Sequence, residues 1–107
     1  MIDVSPDDAA TERRFWTELT RWSPSGNAGP GPFLRLTHPD QPLCLLVQEL
    51  AQPAPLTRAH LDLATSDVEA ETDRHLRLGA KIVRRHPQWT VMAAPGGLQY
   101  CITARQP

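Results

Sequence analysis

Apolar and polar residues alternate in short runs along this chain, interrupted by two stretches of helical spacing. The clearest run is Ala59-His60-Leu61-Asp62-Leu63-Ala64, a predicted strand. It carries Leu61 and Leu63 on one face and His60 and Asp62 on the other. Ser66-Asp67-Val68-Glu69 reads as a capping box that opens a helix. That helix runs to about Leu78, with Val68, Thr72, His75 and Leu76 on one stripe and Gly79 as its C-terminal stop. Three strands follow, 80–85, 89–94 and 98–103, joined by the turns His86-Pro87-Gln88 and Pro95-Gly96-Gly97. Trp89 opens the middle one and serves either to pack the core or to wall a cleft.

The first half repeats this order. Ile2 to Val4 is a short strand. Ser5 as N-cap and Pro6 at the first helical position open a helix, whose apolar stripe is Phe15, Leu19 and Trp22 with Trp16 beside them. This stripe is expected to be core or a dimer interface. The segment 23–32 reads as a loop, with one further strand near 21–25. Phe33 to Thr37 alternates, and Leu43 to Glu49 is mostly apolar and expected to be covered on both faces. Aligning Ser5-Pro6-Asp7 with Thr65-Ser66-Asp67 makes the halves two copies of one unit. The predicted fold is α+β: two copies of one unit, each with a helix covering a twisted antiparallel sheet. The boundaries are one domain over 1–107, with module one at 1–50, a connector at 51–58 stiffened by Gln52-Pro53-Ala54-Pro55, and module two at 59–104.

Composition narrows the function classes. The chain has 107 residues, 40% hydrophobic and 21% charged, which is a globular mix. A net charge of −1 provides no basic field for nucleic acid. No apolar run nears the roughly 20 residues of a membrane span, and the N-terminus has no signal-peptide pattern. A cytoplasmic location is expected. Cys44 and Cys101 lie in strand-like runs, too far apart for a CxxC motif, and are expected to be buried free thiols. The glycine pairs sit in turns or beside prolines, so no phosphate cradle is present.

His60-Leu61-Asp62-Leu63-Ala64, the helix ending Leu78-Gly79-Ala80, the strand Trp89 to Ala94 and the pair Tyr100-Cys101 together resemble the glyoxalase-like domains of the vicinal oxygen chelate superfamily. That superfamily includes glyoxalase I, the bleomycin-resistance proteins and the extradiol dioxygenases. The resemblance implies paired βαβββ modules that form a curled mixed sheet around a concave cleft, with the helices outside. Metal-using members take a histidine from a module's first strand and a carboxylate from its last. The resemblance puts His60 at the first position and Gln99, an amide, at the second. The matching last-strand position of the first module falls at Gln48, and the partner of His60 would precede Met1.

Two functions follow as expectations. One is a lyase, isomerase or dioxygenase acting on a small oxygenated molecule through one divalent metal (Zn, Ni, Fe, Mn or Mg). His60 and Gln99 would be its ligands, and Asp62 a substitute ligand or a base. The other is a metal-free protein that binds or sequesters a small molecule, as the bleomycin-resistance proteins do. Gln48, Trp89 and Cys101 are the expected substrate contacts in both. A homodimer is expected, and no nucleic-acid or membrane partner.

Overall fold

The computed structural model describes residues 1–26 and 31–104. The chain divides into two compact units, Met1–Ala59 and His60–Pro107. Each carries one mixed sheet with one helix on one face. The class is α+β, as the hydrophobic pattern predicts.

In the first unit, β1 (Ile2–Val4) leads through a 3₁₀ turn (Pro6–Asp8) into α1 (Ala9–Thr20). β2 (Ser23–Pro24), β3 (Phe33–Thr37), β4 (Cys44–Glu49) and β5 (Arg58–Ala59) follow. The sheet order is β2-β3-β4-β1-β5, with β1 parallel to β4 and the other pairs antiparallel. The strand expected near 21–25 is therefore β2. Residues 27–30 of the predicted loop lie outside the described residues.

Ile2, Val4, Ala9 and Val47 form the first core, with Trp16, Leu34 and Leu45 packed against it. The apolar stripe of α1 is thus rotated from the expected one. Ala9 and Trp16 face the sheet, while Phe15 and Leu19 are 51% and 60% exposed. The inward Trp16 leaves no unsatisfied donor, because its indole N–H is met at 2.8 Å by Glu12, one turn earlier on the same helix. Ser5 does not cap either. It is buried, and its hydroxyl accepts from the Ala54 N–H at 2.8 Å and donates to the Ala54 carbonyl at 3.0 Å, pinning the Pro-rich segment to β1. Of the β4 residues only Val47 is buried. Cys44, Leu46 and Gln48 alternate onto the face away from α1 and stay half-buried, so that strand is not covered on both sides.

In the second unit, β6 (Asp62–Ala64), α2 (Val68–Arg77), β7 (Lys81–Arg85), β8 (Trp89–Ala93) and β9 (Gln99–Thr103) give the sheet order β6-β9-β8-β7. β6 runs parallel to β9, and the rest are antiparallel. Strand for strand this is the order β1-β4-β3-β2 of the first sheet, with the parallel pair at the same place, as two copies of one unit would have. The single strand expected over 59–64 is split. Arg58–Ala59 pairs with β1, and Asp62–Ala64 pairs with β9.

Asp67, not Ser66, caps α2, its carboxylate accepting from the Ala70 N–H at 2.9 Å. Carboxylate and hydroxyl are comparable caps, and the chain enters the helix one residue later than the capping-box pattern requires. Gly79 follows the helix with φ +100°, the left-handed stop that glycine provides. Ala80, Met92 and Ile102 form the second core, with Val68, Ile82 and Tyr100 against it. Edge strand β7 carries Lys81, Arg84 and Arg85 exposed, a charge pattern that discourages edge pairing.

The faces correct the sixty-residue alignment. Ile2 and Val4 pack with α1, so Asp3 points away from it. In β6, Leu63 pairs with core residue Ile102, so Asp62 points away from α2. An offset of sixty would match Asp3 with Leu63, on opposite faces. The true offset is odd, and Asp3, opposite Gln48, is the first unit's open-face carboxylate.

Candidate functional site

Strand alternation places Asp62, Gln99, Cys101, Val91 and Trp89 on the face of the second sheet opposite α2. Asp62 is the register partner of Cys101, which in turn faces Val91. The ladder continues beyond β6, since the Cys101 N–H donates to the Leu61 carbonyl at 2.9 Å. That bond holds the chain extended and brings His60 onto the same face. The His60 Nδ1 lies 3.2 Å from the Asp62 Oδ1, with side chains 26% and 18% exposed.

His60, Asp62 and Cys101 each offer one ligand atom, and those atoms all lie within 4.8 Å of one another. The set is one imidazole nitrogen, one carboxylate oxygen and one thiol sulfur, a donor mixture that zinc accepts and that leaves a position open. The residues therefore fit a divalent metal. The expected pair was His60 with Gln99. Gln99 shares the face but is exposed, at the leading end of β9. The alternation of β9 makes Cys101, two residues on, the residue opposite Asp62. That spacing is visible in the sequence, but reading it as a ligand requires knowing the register between β6 and β9.

Trp89 is half-buried, one register pair beyond Val91, and stacks on His86 with ring centroids 4.2 Å apart at 19°. Gln48 belongs to the first unit, between Asp3 and Phe33 on the face away from α1. Asp3 is 8% exposed and was missed because the sixty-residue alignment matched it with Leu63, a residue of the opposite face. The alternation Ile2-Asp3-Val4 was its available signal. Both cysteines are free but half-buried, since each sits on the face away from its unit's helix. No helix among the described residues is long and apolar enough to cross a membrane.

The helix side of this unit carries a second polar group. His75 is buried, its Nδ1 2.7 Å from the Tyr100 hydroxyl and its Nε2 2.9 Å from the Glu71 Oε1. Arg74 grips the same carboxylate through Nε and Nη2. The Arg74 guanidinium, then the His75 hydrogen bond, hold Glu71 down at about 2, well below the usual carboxylate range, against the opposing effect of burial. Burial pushes the Tyr100 phenol up. An ionised Glu71 only accepts, so His75 donates to it from Nε2.

The glyoxalase-like domain family model matches residues 1–103, nearly the whole chain. The chain belongs to the glyoxalase-like domain family. No curated protein matches it. Among solved structures, this glyoxalase-like chain is similar to an integron cassette protein from the mobile metagenome of the Halifax Harbour sewage outfall. Identity is 15%, covering 96% of this chain and 94% of that one, with a TM-score of 0.40. It is also similar to a possible glyoxalase from Bacillus cereus at 17% identity, covering 94% and 93%, TM-score 0.37. An antibiotic binding protein from a Streptomyces species matches at 18% identity, covering 94% and 89%, TM-score 0.36.

Proposed function

We propose that this glyoxalase-like domain is a metal-dependent enzyme of the lyase, isomerase or dioxygenase type acting on a small oxygenated molecule. The carrying observation is the cluster of nitrogen, oxygen and sulfur donors from His60, Asp62 and Cys101 on one sheet face. These three would hold a divalent metal. When bound, such an ion polarises substrate oxygens and lowers the cost of negative charge on them. Asp62 fixes the His60 ring by proximity at Nδ1, and its carboxylate is the nearest base for a substrate proton. Gln99 and Trp89, on the same face, supply an amide and a flat apolar wall to orient a ligand. Gln48 is the corresponding amide of the first unit.

The test is calorimetric titration of metal-stripped protein with Zn, Ni, Fe(II), Mn and Mg. One equivalent bound by at least one ion supports the reading, and no heat with any of them ends it. A metal-free binder is the second reading, favoured by the neutral, exposed Gln99 where metal-using relatives have a carboxylate. Melting-temperature shifts with small aromatic or antibiotic compounds in the presence of chelator would support it. We further propose a cytoplasmic homodimer, for which the exposed Phe15 and Leu19 of α1 offer apolar surface. A light-scattering mass of one chain would contradict the dimer.

A further inference from the structure

On the helix side of the second sheet, opposite the face that carries His60 and Asp62, Leu61, Leu63, Leu78, Leu98, His75 and Tyr100 line a cavity of about 330 Å³. We propose that this cavity is a second binding site, which takes a compact apolar molecule bearing one hydroxyl, a phenol or an alcohol, that hydrogen-bonds the Tyr100 hydroxyl.

Three observations carry this. First, the volume lies at the lower end of small-molecule sites, roughly 300–1,000 Å³, so the occupant is small. Second, the walls remain open. Leu61, Leu78 and Leu98 are 58%, 68% and 62% exposed, while Met92 and Ile102 behind them are fully buried. The core is sealed without these leucines, and their apolar surface converges on the cavity and not on the core. At one end Gly79 approaches Pro95, whose Cγ lies 3.6 Å from where a Cβ would stand, so the helix exit and the β8–β9 turn close that side.

The third observation sets the chemistry. The two polar side chains of the lining are joined to each other, His75 Nδ1 to the Tyr100 hydroxyl at 2.7 Å. The other ring nitrogen of His75 is committed to Glu71 at 2.9 Å, and Glu71 is anchored by Arg74. One hydrogen bond of the Tyr100 hydroxyl is therefore taken by His75, and the hydroxyl keeps the capacity for another. An occupant that satisfies it carries one group able to donate or accept a hydrogen bond and is apolar elsewhere. An alcohol or phenol does this, whereas a carboxylate brings a charge the apolar walls would desolvate without return. The site is independent of metal binding on the opposite face.

The test is a methyl-resolved NMR titration of the full chain with 4-ethylphenol and with ethylbenzene. Saturable shifts are expected at the methyls of Leu61, Leu63, Leu78 and Leu98, with the phenol binding about fivefold tighter, the share of one hydrogen bond. Tyr100→Phe should bring the two affinities within about twofold of each other. Leu98→Trp, at an exposed position of the lining, should weaken both by at least about tenfold by filling the cavity. Absence of saturable shifts, shifts confined to Val91 and its neighbours on the opposite face, a phenol preference that survives Tyr100→Phe, or unchanged binding in Leu98→Trp would each overturn the proposal. Because the metal titration reads the other face, failure here leaves that result untouched.

Discussion

Tyr100→Phe isolates one hydrogen bond of the helix-side polar chain. The substitution keeps the ring against the second core and removes only the hydroxyl, which leaves the buried Nδ1 of His75 without its 2.7 Å partner. Orphaning a buried polar group costs about 1–3 kcal/mol, more than the net value of the bond itself. For a domain of this size each kcal/mol moves the melting temperature by about 4–8 °C. The expected loss is readable by denaturant unfolding and by calorimetry. The decisive comparison is a cycle with His75→Leu. Removing both partners leaves no orphan, and Glu71 keeps its grip on Arg74. The double variant should therefore be more stable than the sum of the single losses implies, by about 1 kcal/mol or more. A Tyr100→Phe loss below about 0.3 kcal/mol, or strict additivity in the cycle, would refute the claim that the Tyr100 hydroxyl satisfies the buried ring of His75.

Glu71 ties the same chain to pH. Its folded pKa, lowered from 4.5 to about 2, adds stability that is present above pH 4.5 and is lost as the pH falls toward 2. Glu71→Gln should flatten that acid limb in a series of melting curves while changing little near neutrality in slope. Gly79→Ala should destabilise by about 1–2 kcal/mol, the cost of a left-handed backbone for an L-residue. The added Cβ meets Pro95 only at ordinary contact distance, so denaturant midpoints should report strain and not a clash. Cys101→Ala should weaken metal binding by more than the about 10–100-fold that loss of an outer partner costs, as read by competition with a chelating dye.

Much of the fold was legible because its periodicities are local. The alternation of Leu61 and Leu63 with His60 and Asp62, the glycine after Leu78 and the turns at Pro87 and Pro95 each locate an element without tertiary information. The errors arose where a partner distant in sequence decides the outcome. Ser5 looks like a cap, but Ala54, 49 residues away, claims its hydroxyl. Trp16, and not Phe15 or Leu19, packs against the first core, whose Ile2, Val4 and Val47 lie on strands outside the helix. Residues 58–64 read as one strand, yet the two ends pair with different sheets. The candidate site was half visible for the same reason. His60 and Asp62 sit two apart on one strand, whereas the contribution of Cys101 depends on a parallel register that no local pattern encodes.

The account rests on His60, Asp62 and Cys101 binding one ion together, and cobalt(II) reports this directly. Titrating metal-stripped protein with cobalt should produce, at one equivalent, a near-ultraviolet thiolate-to-cobalt charge-transfer band together with visible ligand-field bands. Cys101→Ser should lose the charge-transfer band, and His60→Ala should lose stoichiometric binding. A wild-type chain that develops no charge-transfer band, or one whose band persists in Cys101→Ser, would contradict it.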